Sequence, residues 1–262
     1  MSSIRSDAAA HLLNKVPQIT IFFWIIKILA TTVGETAGDL LSVRLHLGLT
    51  LTSWVMSGVF LAALFVQMRT KGYVPFIYWV NVVLISVVGT LISDNLVDGM
   101  GISLVTTSIA FGLILAIVFA LWFHYERTLS IHTIYTPRRE LFYWAAILFT
   151  FAMGTSVGDL LAEKMSLGYG PAALVFAAMI AGVLVAHLVF KMDAILAFWV
   201  AYILTRPLGA SFGDFLAKPV IAGGLGLGTI TTSLIFLSAI LALVVFLTLT
   251  KTDRIEPAIA QA

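Results

Sequence analysis

Four aspartates recur with the same approach: Trp24, Gly34, Asp39; Trp79, Gly89, Asp94; Trp144, Gly154, Asp159; and Trp199, Gly209, Asp214. The spacing is W-x9-G-x4-D each time, and a small residue (Gly38, Ser93, Gly158 or Gly213) precedes each aspartate. At 100° per residue, the positions three, four and eight before an aspartate share its helix face. They are Thr36, Glu35 and Thr31; Leu91, Thr90 and Ser86; Ser156, Thr155 and Phe151; Ser211, Ala210 and Arg206, nine of the twelve polar. Each stripe ends in a carboxylate. Carboxylates with hydroxyls form a hard, all-oxygen ligand set, which suits Mn, Mg, Ca, alkali cations or protons better than Cu or Zn. The candidate substrate-binding residues are therefore Asp39, Asp94, Asp159, Asp214, Glu35, Thr36, Thr90, Thr155, Ser156, Ser211, Arg206 and Lys27, with Arg206 or Lys27 as an internal counter-ion, or Lys27 simply snorkelling or paired internally. The four aspartates are the candidate metal ligands.

The competing reading is structural. An aspartate near an interface can cap the following turn, and hydroxyl and glycine stripes also pack membrane helices. Four carboxylates opposing the helix dipole at one depth argue against packing alone. The tryptophans read as anchors or packing residues, and His187 as a packed or interfacial residue. An aspartyl protease would use Gly-x-Gly-Asp, which Ala37-Gly38-Asp39 and Val157-Gly158-Asp159 do not match. No catalytic triad, nucleotide loop or haem motif is present, so neither enzyme activity nor a cofactor is expected.

The elements that must hold these residues follow from composition. Of 262 residues, 60% are hydrophobic and 11% charged, with a mean hydropathy of +1.05. A soluble surface needs roughly 25% charge. Residues 47–68, 99–123, 165–190 and 219–250 contain no Asp, Glu, Lys or Arg, and apolar runs at 17–41, 74–97, 141–162 and 194–217 lie between them. A span needs about 20 such residues, so the chain reads as an all-α, polytopic membrane protein of eight transmembrane helices in a single membrane domain, 1–262. Residues 1–15 lack the apolar core and cleavage site of a signal peptide, so the first run is expected to be retained. With no cysteine, thiol chemistry is excluded.

The aspartates are 55, 65 and 55 residues apart, which divides the chain into repeats of approximately 15–70, 71–125, 138–192 and 193–251. Each repeat has two spans, so all four run parallel, as four helical hairpins about an axis along the membrane normal. Ten cations (Arg5, Lys15, Arg69, Lys71, Arg127, Arg138, Arg139, Lys191, Lys251, Arg254) fall on the terminal side and three (Arg44, Lys164, Lys218) on the other. The positive-inside rule then places both termini in the cytoplasm. The net charge of +2 reports topology, and no nucleic-acid partner is expected.

From 15 to 251 the chain resembles the bacterial integral membrane proteins built from four tandem repeats of unknown function, each with two transmembrane segments and one tryptophan. The run FFWIIKILATTVGETAGDLL is similar to that family's first repeat. The resemblance implies a bacterial inner membrane and assigns no chemistry. The residues themselves point to a small cation moving along a polar axis lined by the aspartates, by channel or by carrier. Hydroxyls at the starts of the even helices, Thr50, Thr52, Ser53, Ser103, Thr106, Thr107, Thr229, Thr231 and Thr232, are expected to add to that lining. The alternative is a non-transporting accessory subunit. Oligomer formation is left open.

Overall fold

The computed structural model describes residues 14–44 and 46–254; Arg5, one of the terminal-side cations, lies outside them. Among the described residues there are eight helices long and apolar enough to cross a membrane and no strand. They are α1 (Ile21–Asp39), α2 (Leu49–Arg69), α3 (Pro75–Asp94), α4 (Leu104–Glu126), α5 (Pro137–Asp159), α6 (Tyr169–Leu188), α7 (Ala194–Ala217) and α8 (Thr229–Thr250). Local sequence starts them. Pro75 and Pro137 stand in the first turns of α3 and α5, where a missing N–H costs nothing. Ser103, Thr136 and Asp193 accept backbone N–H bonds at the starts of α4, α5 and α7. Gly48, Gly168 and Gly228 precede α2, α6 and α8 with φ of +74°, +83° and +80°, a region that favours glycine.

The helices form two concentric layers. The odd helices close an inner ring in which α1 packs on α3, α3 on α5, α5 on α7 and α7 on α1. The even helices lie outside it. Each packs mainly on the odd helix of the next repeat: α2 on α3, α4 on α5, α6 on α7, and α8 back on α1. Between 56% and 67% of each inner span is buried, against 11–28% of each outer one. The outer helices therefore present Leu, Ile, Val and Phe to lipid, while the polar stripes face inward, as the cost of charge in hydrocarbon requires.

The repeated glycine makes the ring possible. A Cβ on Gly34 would lie 1.9 Å from Ser86 Oγ, on Gly89 2.6 Å from Phe151 Cβ, on Gly154 2.4 Å from Arg206 Cγ, and on Gly209 1.9 Å from Thr31 Oγ1. Each glycine thus receives the residue eight before the aspartate of the next repeat, four times around the ring. Three of the four tryptophans, Trp79, Trp144 and Trp199, are 1–4% exposed in the core. Of the two roles considered for them, the structure selects packing.

The terminal end is closed. Lys15 Nζ pairs with Glu140 Oε2 at 2.7 Å and donates to Met68 O at 2.9 Å, and Gln67 Nε2 donates to Glu140 Oε1. Gln18 N donates to Asp253 O, and Tyr73 Oη to Asp253 Oδ2 at 2.5 Å. Burial, then the charge of Asp253, pushes the Tyr73 phenol up from its ordinary value.

Candidate functional site

The four aspartates lie at the end opposite the termini. After Asp39, Asp94 and Asp159 the backbone passes directly into one π-helical turn: Leu40–Arg44, Asn95–Gly99 and Leu160–Lys164. Such turns often mark functional sites in helices. In the fourth repeat α7 continues as α-helix past Asp214 to Ala217. Neither Asp94 nor Asp159 caps the turn that follows it with its side chain. The capping role considered from sequence is absent at those two positions.

Carboxylate oxygens of Glu35, Asp159 and Asp214 lie within 4.8 Å of one another. Asp39 and Asp94 are close enough to Glu35 for their charges to interact. Glu35 is 5% and Asp214 2% exposed, while Asp39, Asp94 and Asp159 are half-buried. Sequence reasoning missed one member, Lys218, whose Nζ lies 3.3 Å from both Asp214 Oδ2 and Glu163 Oε1. Burial pulls its ammonium down, but Asp214 and Glu163 outweigh that and hold it above the ordinary lysine range. The i,i+4 spacing from Asp214 is the signal that could have found it. Asp39, Asp94 and Asp159 have no ion-pair partner among the described residues.

Arg206 lies on the axis beneath the carboxylates and bonds to all three other repeats. Its Nη1 donates to Thr31 O at 2.6 Å and Ser86 Oγ at 3.5 Å, and its Nε to Phe151 O at 3.4 Å. Its Nη2 donates to Glu35 Oε2 at 2.9 Å, to Thr155 Oγ1 at 2.7 Å and to Thr90 Oγ1. The ring of residues four before the aspartate, Glu35, Thr90 and Thr155, therefore converges on one guanidinium. Ala210, the fourth member, shares the arginine's own helix. Arg206 is fully buried, and an always-charged group there closes the axis.

The residues three before the aspartate point between helices instead. Thr36 Oγ1 lies 2.8 Å from Ser233 Oγ of α8, and Ser156 Oγ 2.7 Å from Ser93 Oγ of α3. Ser211, facing Gly158, has no hydrogen-bond partner among the described residues. The expected lining of hydroxyls from the even helices is corrected too. Thr52, Thr107 and Thr232 donate to the carbonyls of Gly48, Ser103 and Gly228 in their own first turns. These hydroxyls give their protons to the local backbone, and the even helices that carry them stand outside the inner ring.

Lys27, twelve residues before Asp39, is fully buried with no hydrogen-bond partner among the described residues. Its Nζ sits 4.0 Å from the Phe151 ring centroid and 4.2 Å from that of Tyr202. Below it the axis is filled by Phe23, Tyr78, Tyr143 and Phe198, sixteen before each aspartate and at most 6% exposed. What sequence drew as a polar path is thus a carboxylate cluster over an arginine plug and an aromatic floor. His187, expected to be a packed residue, has Nδ1 2.9 Å from Met192 O.

Residues 22–73, 77–128, 142–193 and 197–253 each match the repeat that defines the family described as Repeat of Unknown Function (DUF347). The chain belongs to this family. In this DUF347 protein the matched segments start 55, 65 and 55 residues apart, the spacing of the aspartates, and each covers one inner and one outer helix. No curated protein and no solved structure matches the chain.

Proposed function

We propose that the protein is a small-cation carrier of a bacterial inner membrane, with both termini cytoplasmic and the aspartate cluster opening outward. The observation that carries this reading is the convergence of Glu35, Asp159 and Asp214 oxygens within 4.8 Å, at the same end of the inner ring as Asp39 and Asp94. Two of these carboxylates carry the cluster's cations: Glu35 pairs with Arg206 and Asp214 with Lys218. Oxygen ligands alone favour a hard ion such as Mn, Mg or Ca. The arginine plug supports a carrier over a continuous channel, because a cation crossing the axis meets a fixed positive charge. Binding at the cluster draws Glu35 away from Arg206, and the guanidinium must find a new arrangement before anything passes.

The decisive experiment is Mn2+ binding and uptake by purified protein, in detergent and in liposomes. Asp159→Asn and Asp214→Asn are each expected to lower affinity by at least about 10-fold, since removing one charged ligand costs more than 1.4 kcal/mol, and to abolish uptake. Unaltered uptake in both variants overturns the proposal. A non-transporting accessory subunit is the second reading, favoured by the closed axis. Absence of flux for Mn2+, Mg2+, Ca2+ and Na+ in the native protein decides for it.

A further inference from the structure

Three of the four inner helices leave their aspartate through a π-helical turn. The fourth, α7, does not, and the difference puts a cation on the carboxylate cluster. Four residues past each aspartate stand Val43, Asp98, Glu163 and Lys218. Because α7 stays α-helical to Ala217, Lys218 lies one turn beyond Asp214, the i,i+4 relation that brings side chains together. Pro219 follows, and it favours the extended backbone that Lys218 adopts, with ψ of 151°. The next loop fixes the lysine's main chain. Gly226 N donates to Lys218 O at 2.9 Å, and a Cβ on Gly224 would lie 2.1 Å from the same oxygen. What is left free to move is the side chain.

That side chain bridges two carboxylates of different exposure. Its Nζ lies 3.3 Å from Asp214 Oδ2 and 3.3 Å from Glu163 Oε1. The Asp214 side chain is 3% exposed and the Glu163 side chain 45%, with Lys218 between them at 28%. Tyr169 completes the outer setting. Its Oη donates to Glu163 Oε1 at 2.7 Å, and its ring centroid lies 4.9 Å from Lys218 Nζ, within the range of a cation–π contact. Asp214 also contributes an oxygen to the group it forms with Glu35 and Asp159. The ammonium therefore covers one ligand of the candidate cation site, and a second resting place, a carboxylate with an aromatic face, lies beside it. A lysine near a helix C-terminus also complements the helix dipole, but that role needs neither Glu163 nor Tyr169.

We propose that Lys218 is a tethered competitor at the cation site: its ammonium holds Asp214 while the site is empty, and an incoming divalent cation displaces it onto Glu163 and Tyr169. The exchange leaves the lysine paired, because Nζ gives up one of two carboxylates and keeps the other. It also sets the class of substrate. A monovalent ion that replaces the ammonium brings Asp214 no more charge than it removes. A divalent ion brings twice the charge to three carboxylates at once, and the attraction scales with that charge. Competition lowers the apparent affinity for every ion by the fraction of time the ammonium leaves the site free. A weakly held monovalent ion is thereby pushed out of its working range, while a tightly held divalent ion stays within it. This inference rests on the cation reading above and adds to it the preference for divalent ions.

The test is Mn2+ binding by calorimetry on the full chain in detergent, with choline chloride holding the ionic strength constant as Na+ is varied. Lys218→Met is expected to bind Mn2+ about 10-fold more tightly than the native chain, which corresponds to about 1.4 kcal/mol of removed competition. A purely structural lysine gives the opposite sign, since its loss loosens the end of α7 and weakens binding. Na+ is expected to displace Mn2+ from Lys218→Met at concentrations that leave native binding unchanged. Glu163→Gln changes an exposed residue and serves as the second variant. It is expected to weaken Mn2+ binding in the native background, where the ammonium then stays on Asp214, and to weaken it much less in Lys218→Met. The proposal falls if Lys218→Met binds Mn2+ no more tightly than the native chain, if the two respond equally to Na+, or if Glu163→Gln has the same effect in both backgrounds. With Mn2+ bound by the native chain, those results sink this inference alone. Absence of Mn2+ binding by both the native chain and Lys218→Met overturns the cation reading, and this inference with it.

Discussion

Arg206 offers the clearest energetic test at the scale of one residue. It makes a buried ion pair with Glu35 and bonds to three hydroxyls and two carbonyls besides. Removing one partner of such a pair leaves the other charge buried, at a cost of about 3–5 kcal/mol, whereas removing both can be neutral. Arg206→Gln is therefore expected to lose most of the thermal stability measured in detergent, and Glu35→Gln somewhat less. The double variant should recover part of the loss, giving a non-zero coupling in a double-mutant cycle. Additive losses would show that the pair contributes nothing as a pair. The sequence marked Arg206 as lying on a stripe, because periodicity gives direction. Its partners were not legible, because they come from three other helices. Nor was the pairing with Glu35 visible, since 171 residues separate the two.

Among the elements, the glycine of each repeat sets how closely neighbouring inner helices approach. A methyl on Gly89 meets Phe151 Cβ at 2.6 Å and the Ala152 backbone N at 3.1 Å, whereas one on Gly58 in the outer helix α2 meets nothing within 4 Å. Gly89→Ala should lower stability by about 1–3 kcal/mol, the usual cost of overpacking. Gly58→Ala should leave it unchanged or raise it, as helix propensity favours alanine. Equal melting temperatures for the two would contradict the ring as the close contact. The eight spans, their parallel repeats and the recurring Gly-to-Asp interval could all be read from apolar run length and spacing. The neighbour order could not. That each outer helix packs on the next repeat's inner helix is decided by side-chain fit between segments, which a single chain's periodicity does not encode. The π-helical turns after Asp39, Asp94 and Asp159 were equally hidden, because they are one-residue adjustments inside a continuous apolar pattern.

For the molecule as a whole, the closed ring of four repeats explains why substitutions at equivalent positions are not equivalent in consequence. Position eight before the aspartate is Thr31, Ser86, Phe151 or Arg206, and only the last supplies a charge to the axis; position twelve is Lys27, Val82, Ile147 or Tyr202, and only the first does. The pseudo-four-fold frame positions the groups, and its broken members give the axis its polarity: carboxylates at one end, Arg206 and Lys27 beneath them, and the Lys15, Glu140 and Asp253 contacts at the terminal face. That polarity has meaning only with respect to the two sides of the membrane. The proposed orientation, drawn from ten terminal-side cations against three, has the carboxylates outward. The absence of cysteine makes the orientation directly measurable. Asp98, in the π-helical turn after α3, and Lys191, between α6 and α7, are both exposed and lie at opposite ends of the spans. In intact spheroplasts a membrane-impermeant maleimide is expected to label Asp98→Cys and to leave Lys191→Cys unlabelled until the membrane is permeabilised. The reverse pattern would put the carboxylate cluster in the cytoplasm.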